Sequence, residues 1–446
     1  MPHPRVRLVV LNFNGGDLTE RSVEHLEALD WPADRLDLVV VDNASVDGSP
    51  ERIEAAHPRV RMIRSPRNGG FPANNLGLGD LDDVDYVGLI NNDAFVEPDY
   101  LHPLVEALDA DPGLGAACPR IVLAPRFAAL GLTGPSFTVP GDGRELAVRL
   151  RGVEVDGEDV DIDGALGVGC HDLEHDGRGP FRWLSGSARL QVPLTTATPG
   201  PRTIRVRLEA PAAGTEVTLT WGDATATAVV GPEPSWGELT ATVEAHDVIN
   251  NVGSMLVEGG YGGDRGFLEV DAGQYDQGEE VFAWCGAGVL FRPAYLAEVG
   301  LFDERFFMYY EDTDLSWRGR AQGWRYRYVP AARMRHVHAA TSVEGSPRFR
   351  FWVDRNRLFL LTKNAPAPLA RRAVGGLAVE LGRAIGRDLV RPVLRLHRPR
   401  PGLVRTKGKA LASYLVWSPA MLRDRRRLRR SQSVADAELV AWAVAR

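Results

Sequence analysis

The chain has 446 residues, of which 44% are hydrophobic and 25% charged, with a net charge of -7 and three cysteines. This length exceeds one typical core of about 100 to 200 residues, so two or three packed units are expected. The composition is globular and excludes disordered and fibrous proteins. Cys118, Cys170 and Cys285 are odd in number and far apart, which argues against a disulfide framework or a zinc site and favours a reducing compartment.

The beginning of the chain carries only a short apolar run, Leu8 to Leu11. A signal peptide needs a longer apolar stretch, and a membrane-spanning helix needs about 20 apolar residues, which no segment approaches. A cytoplasmic location is therefore predicted.

Short apolar strands alternate with amphipathic helices through residues 1–126. The predicted strands are Val6–Leu11, Leu38–Val41, Val60–Ile63 and Tyr86–Ile90, and the predicted helices are Leu18–Leu29 and Gly48–Ala56. Buried strands joined by helices predict an α/β fold with a mainly parallel sheet. Ligands bind beyond the carboxyl ends of such strands.

Polar residues follow the strands where a ligand is expected. Asp42 can accept a hydrogen bond from a base or a ribose, although an Asx-turn or a helix cap would also explain it. Asn91, Asn92 and Asp93 offer hard oxygen ligands for Mg or Mn bridging two phosphates, with an ordinary turn as the alternative. A further loop, Arg67 to Gly77, combines amides with glycines that let backbone approach a ligand, and Asn68 and Gly70 are its candidates.

Residues 127–275 have a different texture, with alternating strands such as Thr203–Leu208, Glu216–Trp221 and Ala226–Val230. This pattern predicts an all-β sandwich inserted into the first domain. The α/β pattern returns in residues 276–364, with a strand-like Val281–Phe291, a helix at Asp312–Gln322 and a strand at Tyr326–Val329.

The segment that leads into this helix is acidic. Glu311, Asp312 and Asp314 lie at a predicted helix N-terminus after a run of aromatic residues, where a carboxylate can act as a general base for a hydroxyl. Helix capping is the alternative for one or two of them. Further on, His336 and His338 point the same way in an extended chain, and one of them can complete a metal shell, unless both are ordinary surface or core residues.

Residues 365–446 are basic and helical, with 18 Lys and Arg against 5 Asp and Glu, a net charge of +13. An anionic partner follows from this charge, either a phospholipid surface or a phosphate-bearing acceptor. A solvated helix pair packed on the body is the alternative.

The order of these motifs resembles family 2 glycosyltransferases of GT-A fold, especially the rhamnosyltransferase-like branch from bacterial envelope biosynthesis. Asp42, Asn91-Asn92-Asp93, Cys285-Gly286-Ala287-Gly288, Glu311-Asp312 and a late histidine carry the resemblance, which covers about residues 5–125 and 280–364.

The resemblance implies a role for each motif. Asp42 would bind the base or ribose, helped by backbone around Leu11 and Asn12. Asp93 would be the metal ligand, together with His336 or its rival His338, in a site weakened by Asn91 in place of an aspartate. Asp312 would be the catalytic base, with Glu311 and Asp314 supporting the acceptor side.

The implied enzyme is an inverting transferase that uses Mg or Mn and takes a sugar from a nucleotide-sugar donor, dTDP-rhamnose or a UDP-sugar. The acceptor would be a hydroxyl of a cell-envelope glycan or a lipid-linked oligosaccharide, at the inner face of the plasma membrane; no nucleic-acid partner is expected. A polyprenyl-phosphate glycosyltransferase and a non-catalytic glycan-binding protein are the alternatives. The insert resembles a carbohydrate-binding sandwich if Trp183, Trp221 and Trp236 are exposed, whereas core tryptophans would serve packing alone.

Overall fold

A computed structural model describes residues 3–139, 142–162, 166–194, 200–337 and 346–444 of the chain. The predicted rival ligand His338 lies outside the described residues.

The first α/β part follows the predicted alternation of strands and helices. Its strands are β1 (Val6–Asn12), β2 (Leu36–Asp42), β3 (Arg61–Arg64), β4 (Tyr86–Asn91), β5 (Ala94–Val96) and β6 (Leu114–Leu123), and its helices are α1 (Gly16–Glu27), α2 (Ser49–Ala56), α3 (Asn75–Leu78) and α4 (Leu101–Ala110). Apolar side chains of β1, β2 and β4 are buried on both faces of the sheet, as expected of parallel strands covered by helices.

The described residues of the middle of the chain form strands and no helix. They are β7 (Arg126–Thr133), β8 (Phe137–Thr138), β9 (Glu145–Leu146), β10 (Arg149–Val155), β11 (Glu158–Val160), β12 (Leu166–Asp176), β13 (Gly179–Leu194), β14 (Gly200–Glu209), β15 (Thr215–Trp221), β16 (Ala224–Val230) and β17 (Ser235–Val243).

Nine of these strands form one hydrogen-bonded antiparallel sheet that runs from β16 to β17. The two ends of this order pack on each other, since a Cβ atom added at Gly237 of β17 would lie 3.3 Å from the Ala228 side chain of β16. Leu130, Leu190, Val206 and Leu219 fill the shared core. The predicted all-β insert is confirmed.

The remaining chain completes the first sheet and adds helices. Its strands are β18 (Ile249–Asn251), β19 (Ser254–Val257), β20 (Tyr261–Asp264), β21 (Glu279–Glu280), β22 (Gly288–Phe291), β23 (Arg325–His336) and β24 (Ala443–Val444), and its helices are α5 (Pro293–Val299), α6 (Glu311–Ala321), α7 (Pro347–Asn364), α8 (Ala367–Ile385), α9 (Arg391–Leu394), α10 (Gly402–Ser431) and α11 (Asp436–Ala441).

The large sheet has the strand order β21-β23-β6-β22-β4-β1-β2-β3. The pairs β1–β2, β1–β4, β2–β3 and β6–β23 are parallel, whereas β22 is antiparallel to both of its neighbours. This arrangement confirms the predicted α/β class with a mainly parallel sheet. The predicted continuous strand Val281–Phe291 is wrong, because the chain leaves the sheet between Glu280 and Gly288 and forms a loop at the edge of the site.

Contacts divide the chain into two compact units. One comprises residues 1–124, 250–267 and 273–446, and the other comprises residues 125–249 and 268–272. The predicted boundaries near 126, 275 and 364 are not tested by this division and stay predictions. The first unit nevertheless includes Asn250 to Phe267 and the C-terminal helices, which matters for the site.

The C-terminal helices share a core with α7. Phe359 and Leu361 of α7 pack in one buried cluster with Leu377 of α8, Met421 of α10 and Leu439 of α11. None of the described helices combines the length and the apolar character that a membrane crossing demands.

Candidate active site

Asn12 ends β1 and holds the neighbouring segments together. Its side chain is completely buried, accepts hydrogen bonds from Gly15 N at 3.2 Å and Thr19 Oγ1 at 2.9 Å, and donates to Ser49 Oγ at 2.9 Å. Asn92 donates in turn to Thr19 Oγ1 at 3.1 Å. The side chains of these two predicted binding residues are therefore used inside the protein, where they fix the loops after β1, β2 and β4.

Asp42 ends β2 directly beside Asn12. Its Oδ1 accepts a hydrogen bond from Ser45 N at 3.1 Å, which is the turn contact expected of an aspartate after a strand. Its Oδ2 has no hydrogen-bond partner among the residues that the structure describes. One carboxylate oxygen thus fixes the loop, and the other is available to a base or ribose.

Asn43 connects the loop after β2 with the loop that contains Asn68 and Gly70. It donates to Asn68 Oδ1 at 3.1 Å and to the Gly70 carbonyl at 3.2 Å, and it accepts from Gly69 N at 2.8 Å. Gly70 has a φ of +70°, and a Cβ atom there would lie 2.0 Å from the Phe307 carbonyl oxygen. Only glycine fits, so the predicted close backbone approach is made to the protein's own loop.

Asp93 and His336 meet beyond the end of β4. Asp93 Oδ1 lies 3.0 Å from His336 Nε2, and both side chains are largely buried. The other ring nitrogen, Nδ1, is 2.8 Å from Asn250 Oδ1. Because an amide oxygen can only accept, Nδ1 carries the hydrogen of this bond, and Nε2 faces Asp93 and Asn91, whose Nδ2 is 3.3 Å away.

The pair fits a divalent cation by its donor chemistry. Two donors on adjacent corners of an octahedron with bonds of about 2.1 Å lie about 3.0 Å apart, close to the observed separation. No group of three or more His, Cys, Asp or Glu side chains that could hold a metal is found among the described residues. A cation held here would therefore depend on oxygens of a bound diphosphate and on water, as is usual for Mg.

The loop before α6 is strained. Phe307, Tyr309 and Tyr310 all have φ between +64° and +70°, a conformation that costs non-glycine residues of order 1–3 kcal/mol each. Asn356 of helix α7, a completely buried amide, fixes this loop by hydrogen bonds. Its Nδ2 lies within 2.7–2.8 Å of the carbonyl oxygens of Phe306, Met308 and Tyr309.

Asp312 emerges from this loop in the first turn of α6. Its Oδ1 accepts from Thr313 N at 2.6 Å, and its Oδ2 lies 3.4 Å from Gly286 N. Burial raises the pKa of Asp312 to about 6, opposed by the Thr313 hydrogen bonds and reinforced by the nearby charge of Asp264. A carboxylate of this pKa can accept a proton near neutral pH.

Glu311, the other member of the acidic pair, has a different environment. It is buried, and its Oε2 has no hydrogen-bond partner among the described residues. Burial and the charge of Asp312 raise the pKa of Glu311 well above its usual range. The pKa values of both carboxyl groups are therefore raised, and only Asp312 has hydrogen bonds from Thr313 that limit the rise.

Asp314, the third acidic residue of this segment, does not lie with Asp312 at the site. It is completely buried and pairs with Lys363 Nζ at 2.8 Å and Arg318 Nε at 2.9 Å, while Asn364 donates to its other oxygen. These partners lie on α6 and α7, so Asp314 fastens the two helices to each other.

The loop before β22 connects the two acidic positions. Asn91 N donates to the Ala287 carbonyl at 2.9 Å, while the preceding residue, Gly286, approaches Asp312. The ends of β1, β2 and β4 are in register with one another. Asp42, Asp93, His336 and Asp312 thus lie around one edge of the sheet.

Sequence reasoning missed four residues that build this edge: Asn43, Asn250, Asp264 and Asn356. Asn250 and Asp264 fall in the segment predicted as insert, where no strand pattern marks them as site residues. Asn356 is completely buried although it lies in the charged stretch from Asp354 to Arg357, so no signal in the sequence marked it.

The tryptophans of the insert are largely internal. Trp221 is completely buried and Trp183 packs edge-on against Phe181. Trp236 is 39% exposed, and the Arg205 guanidinium covers its ring at 4.6 Å. The packing alternative therefore holds for Trp221 and Trp183, and only Trp236 offers an indole face near solvent.

A mainly parallel sheet with acidic groups beyond β2 and β4 is typical of α/β folds that bind ligands at the carboxyl ends of their strands. Residues 8–127 match the model of the family described as glycosyl transferase family 2. This segment, about a quarter of the chain, is therefore similar to glycosyltransferase family 2.

Individual relatives match over short segments. The succinoglycan biosynthesis protein ExoO of Rhizobium meliloti (strain 1021) is 35% identical over 109 residues, 24% of this chain and 30% of that protein. The N-acetylglucosaminyl-diphospho-decaprenol L-rhamnosyltransferase of Mycobacterium tuberculosis (strain ATCC 25618 / H37Rv) is 45% identical over 62 residues, 14% of this chain and 20% of that protein. The chain thus spans less than a third of the length of the curated relatives it matches.

A solved structure also resembles the chain. The mannosyltransferase PcManGT from Pyrobaculum calidifontis, in complex with GDP-Man and Mn2+, superposes with a TM-score of 0.38 at 15% identity. The superposition covers 98% of this chain and 79% of that one.

Proposed function

We propose that the protein transfers a sugar from a nucleotide diphosphate to an acceptor hydroxyl with inversion at the anomeric carbon. Asp312 carries this proposal. It is a half-buried carboxylate whose pKa is raised to about 6, with one oxygen fixed by Thr313 and the other directed to Gly286. This is the preparation that a general base requires.

In the proposed reaction, the acceptor oxygen forms a bond to the anomeric carbon as the bond from that carbon to the diphosphate breaks. The hydroxyl proton passes to Asp312 Oδ2, and the nucleoside diphosphate leaves. Asp42 Oδ2 orients the base or ribose. Asp93 and His336 would hold a divalent cation, Mg or Mn, which neutralises the charge that builds on the diphosphate.

The finer assignments rest on similarity. The donor is dTDP-rhamnose or a UDP-sugar, and the acceptor is a hydroxyl of a cell-envelope glycan or a lipid-linked oligosaccharide at the inner face of the plasma membrane. The similarity to the mycobacterial N-acetylglucosaminyl-diphospho-decaprenol L-rhamnosyltransferase supports this choice. Sugar found on lipid phosphate instead of a hydroxyl would identify a polyprenyl-phosphate glycosyltransferase.

The first test is Asp312→Asn, which preserves size but cannot accept the proton. We expect kcat to fall by about 100-fold or more, the range for a general base, with donor binding retained and an inverted product from the unmodified protein. Asp83→Asn, which removes a charge at an exposed position, is the control. Near-normal transfer by Asp312→Asn would refute the mechanism.

The cation is tested by donor binding. We expect Mn2+ to increase the affinity for UDP or dTDP severalfold or more in the unmodified protein, and His336→Ala to lose most of this increase, since one of the two protein donors is gone. Calorimetric titration with and without EDTA measures it. Equal nucleotide affinity with and without Mn2+ would exclude the proposed cation role.

A further inference from the structure

The exposed apolar side chains of this protein are concentrated near its C-terminus. Among the described residues, 18 large apolar side chains are exposed, and 11 of them lie after residue 364, in less than a fifth of the chain. Exposed apolar residues scattered singly need no explanation, whereas a concentration marks an interaction surface. The concentration coincides with the most basic segment of the sequence.

Helix α10 has two distinct faces. Thr406, Ala410, Tyr414 and Met421 are buried against the rest of the first unit. On the opposite face, Leu415, Val416 and Leu422 are exposed, with Val416 74% accessible. At 100° per residue these two sets lie on opposite sides of the helix, so the apolar residues of the outer face are turned away from the core.

Basic residues flank this apolar stretch at both ends. Arg405 and Lys409 precede it, and Arg423, Arg426 and Arg430 follow it, all of them exposed. Asp424 is the single acidic residue of α10, and it points inward to an ion pair with Arg305. The outer face of α10 is therefore apolar in the middle, cationic at both ends and free of carboxylates.

The segment of residues 385–400, called the tip here, precedes α10 and also combines exposed apolar side chains with basic residues. In residues 385–400, Val393, Leu394 and Leu396 are exposed, Leu396 to 97%. Arg391 and Arg395 stand among them and are exposed as well. The tip leads directly into α10, so the two segments form one continuous stretch of chain.

Some of the arginines of α10 form hydrogen bonds within the protein. Arg425 donates to the Thr362 carbonyl at 3.1 Å, and Arg429 donates to the Ala365 carbonyl at 3.2 Å, so both satisfy backbone groups at the end of α7. The packing alternative therefore accounts for these two arginines. It does not account for Arg423, Arg426 and Arg430, which are exposed on the outer face.

We propose that the outer face of α10, with the tip at 385–400, binds flat on an anionic lipid membrane. This proposal deepens the membrane location given under the proposed function and rests on it for its biological setting. The aliphatic side chains enter the boundary between headgroups and acyl chains, and the flanking arginines reach lipid phosphates while their stems lie along apolar surface.

Other binding partners would match either the apolar residues or the positive charge of this surface, but not both. A nucleic acid would match the arginines and leave Leu415, Val416 and Leu422 in water. A second copy of the chain would cover the apolar residues but bring like charges together across a two-fold axis. An anionic bilayer satisfies both, and its negative potential also repels the remaining chain, which carries a net charge of -20, and so orients the protein.

Vesicle co-sedimentation of the full chain tests the proposal without donor or acceptor. We expect binding to vesicles of phosphatidylcholine with 30% phosphatidylglycerol, a fraction chosen for the assay at roughly the charge of an anionic leaflet, and at least about tenfold weaker binding to phosphatidylcholine alone. Leu415→Ser with Val416→Ser, and separately Arg426→Ser with Arg430→Ser, should each weaken binding about tenfold or more.

Controls separate the possible outcomes. Val168→Ser with Val229→Ser alters two exposed valines outside α10 and should bind vesicles normally, as should Asp312→Asn, so failure of the catalytic proposal would not affect this assay. Unchanged binding by both α10 variants would overturn the proposal. So would a lipid-free dimer, measured by sedimentation equilibrium, that Leu415→Ser with Val416→Ser dissociates.

Discussion

Two adjacent carboxyl groups in this site have different proton affinities because their surroundings differ. Glu311 is buried with an unpartnered oxygen, whereas Asp312 receives hydrogen bonds from Thr313 and approaches Gly286. Both pKa values are raised by burial, but the hydrogen bonds limit the rise at Asp312. Two adjacent carboxyl groups can thus differ in proton affinity when their surroundings differ.

The pH dependence of transfer follows from this difference. Asp312 accepts a proton only when ionised, so kcat/KM should rise with pH through a midpoint near 6, its raised pKa. Asp264→Asn removes a neighbouring negative charge that raises this pKa, and the midpoint should therefore move to lower pH. Initial rates from pH 4.5 to 8.5 measure both, with Asp83→Asn as the charge-matched control; a shift to higher pH in Asp264→Asn would contradict the electrostatics.

Gly70 should tolerate no side chain. Gly70→Ala combines the strain of a φ of +70° with an overlap on the Phe307 carbonyl, so we expect more than about 2 kcal/mol of destabilisation and weaker nucleotide binding. Gly214→Ala is matched in φ, at +75°, but has open space around the new methyl group. It should cost only about 1 kcal/mol. Urea unfolding compares the two, and equal costs would show that the overlap relaxes.

For individual residues, the sequence predicted which side chains lie at the site better than it predicted their hydrogen-bond partners. Asp42, Asp93, His336 and Asp312 do gather at one edge of the sheet, because parallel strand ends meet there. The hydrogen bonds of Asn12, Asn92 and Asp314 to other parts of the protein were not predictable. The sequence does not show whether an amide or a carboxylate binds a ligand or a neighbouring loop. Asn250 and Asp264 come from a segment whose return to the site depends on tertiary contacts.

Helix α7 supports the loop that leads to Asp312. The loop of residues 306–310 holds three left-handed residues other than glycine, and Asn356 satisfies its carbonyl groups. Arg355 adds a hydrogen bond to the Phe306 carbonyl at 2.9 Å. Strain of this kind persists only where surrounding contacts fix it, so α7 determines where Asp312 lies.

Asn356→Ala tests this support. It removes bonds worth about 1 kcal/mol each and allows the loop to relax, so we expect kcat to fall about tenfold or more, with the pH midpoint displaced because Asp312 is repositioned. Arg350→Ala, at an exposed position of the same helix, is the control. Loss of stability with an unchanged pH profile would indicate a merely structural contact.

The strands β1 to β4 and the helices α1 and α2 were predictable, with ends within about two residues, because their apolar periodicity is regular. The later elements β5, β6, α3 and α4 were not predicted, and the segment Val281–Phe291 was predicted wrongly. Its apolar letters are typical of a strand, but the protein uses Gly286 there for a close approach, since a Cβ atom added at Gly286 would lie 2.7 Å from the Phe71 ring. Tertiary packing overrides the apolar pattern of the sequence at this position.

The C-terminal helices belong to the body of the first unit. Leu358, Phe359, Leu360 and Leu361 of α7 are covered by residues of α8, α10 and α11. Composition predicted their helicity and charge, but a basic helical segment has the same appearance whether it is a free tail or a packed layer.

A truncated chain of residues 1–364 should therefore fail to fold. Each large apolar side chain exposed forfeits about 1.5–3 kcal/mol, and several together exceed the roughly 5–15 kcal/mol typical of a domain. Soluble yield and thermal unfolding measure this. A chain with residues 387–400 replaced by a Gly-Ser linker keeps the α7 contacts and should remain folded; a soluble, cooperative 1–364 fragment would disprove the packing argument.

The large sheet has a consequence for synthesis on the ribosome. β6 lies between β22 and β23, yet both partners emerge only after the whole antiparallel unit has been made. At about 5–20 residues per second, β4 and β6 wait roughly 10–30 s for β22. During that interval both strands have open edges, which attract other chains. The insert has its own core and needs no later segment beyond residues 268–272, so we expect it to fold before the domain that it interrupts.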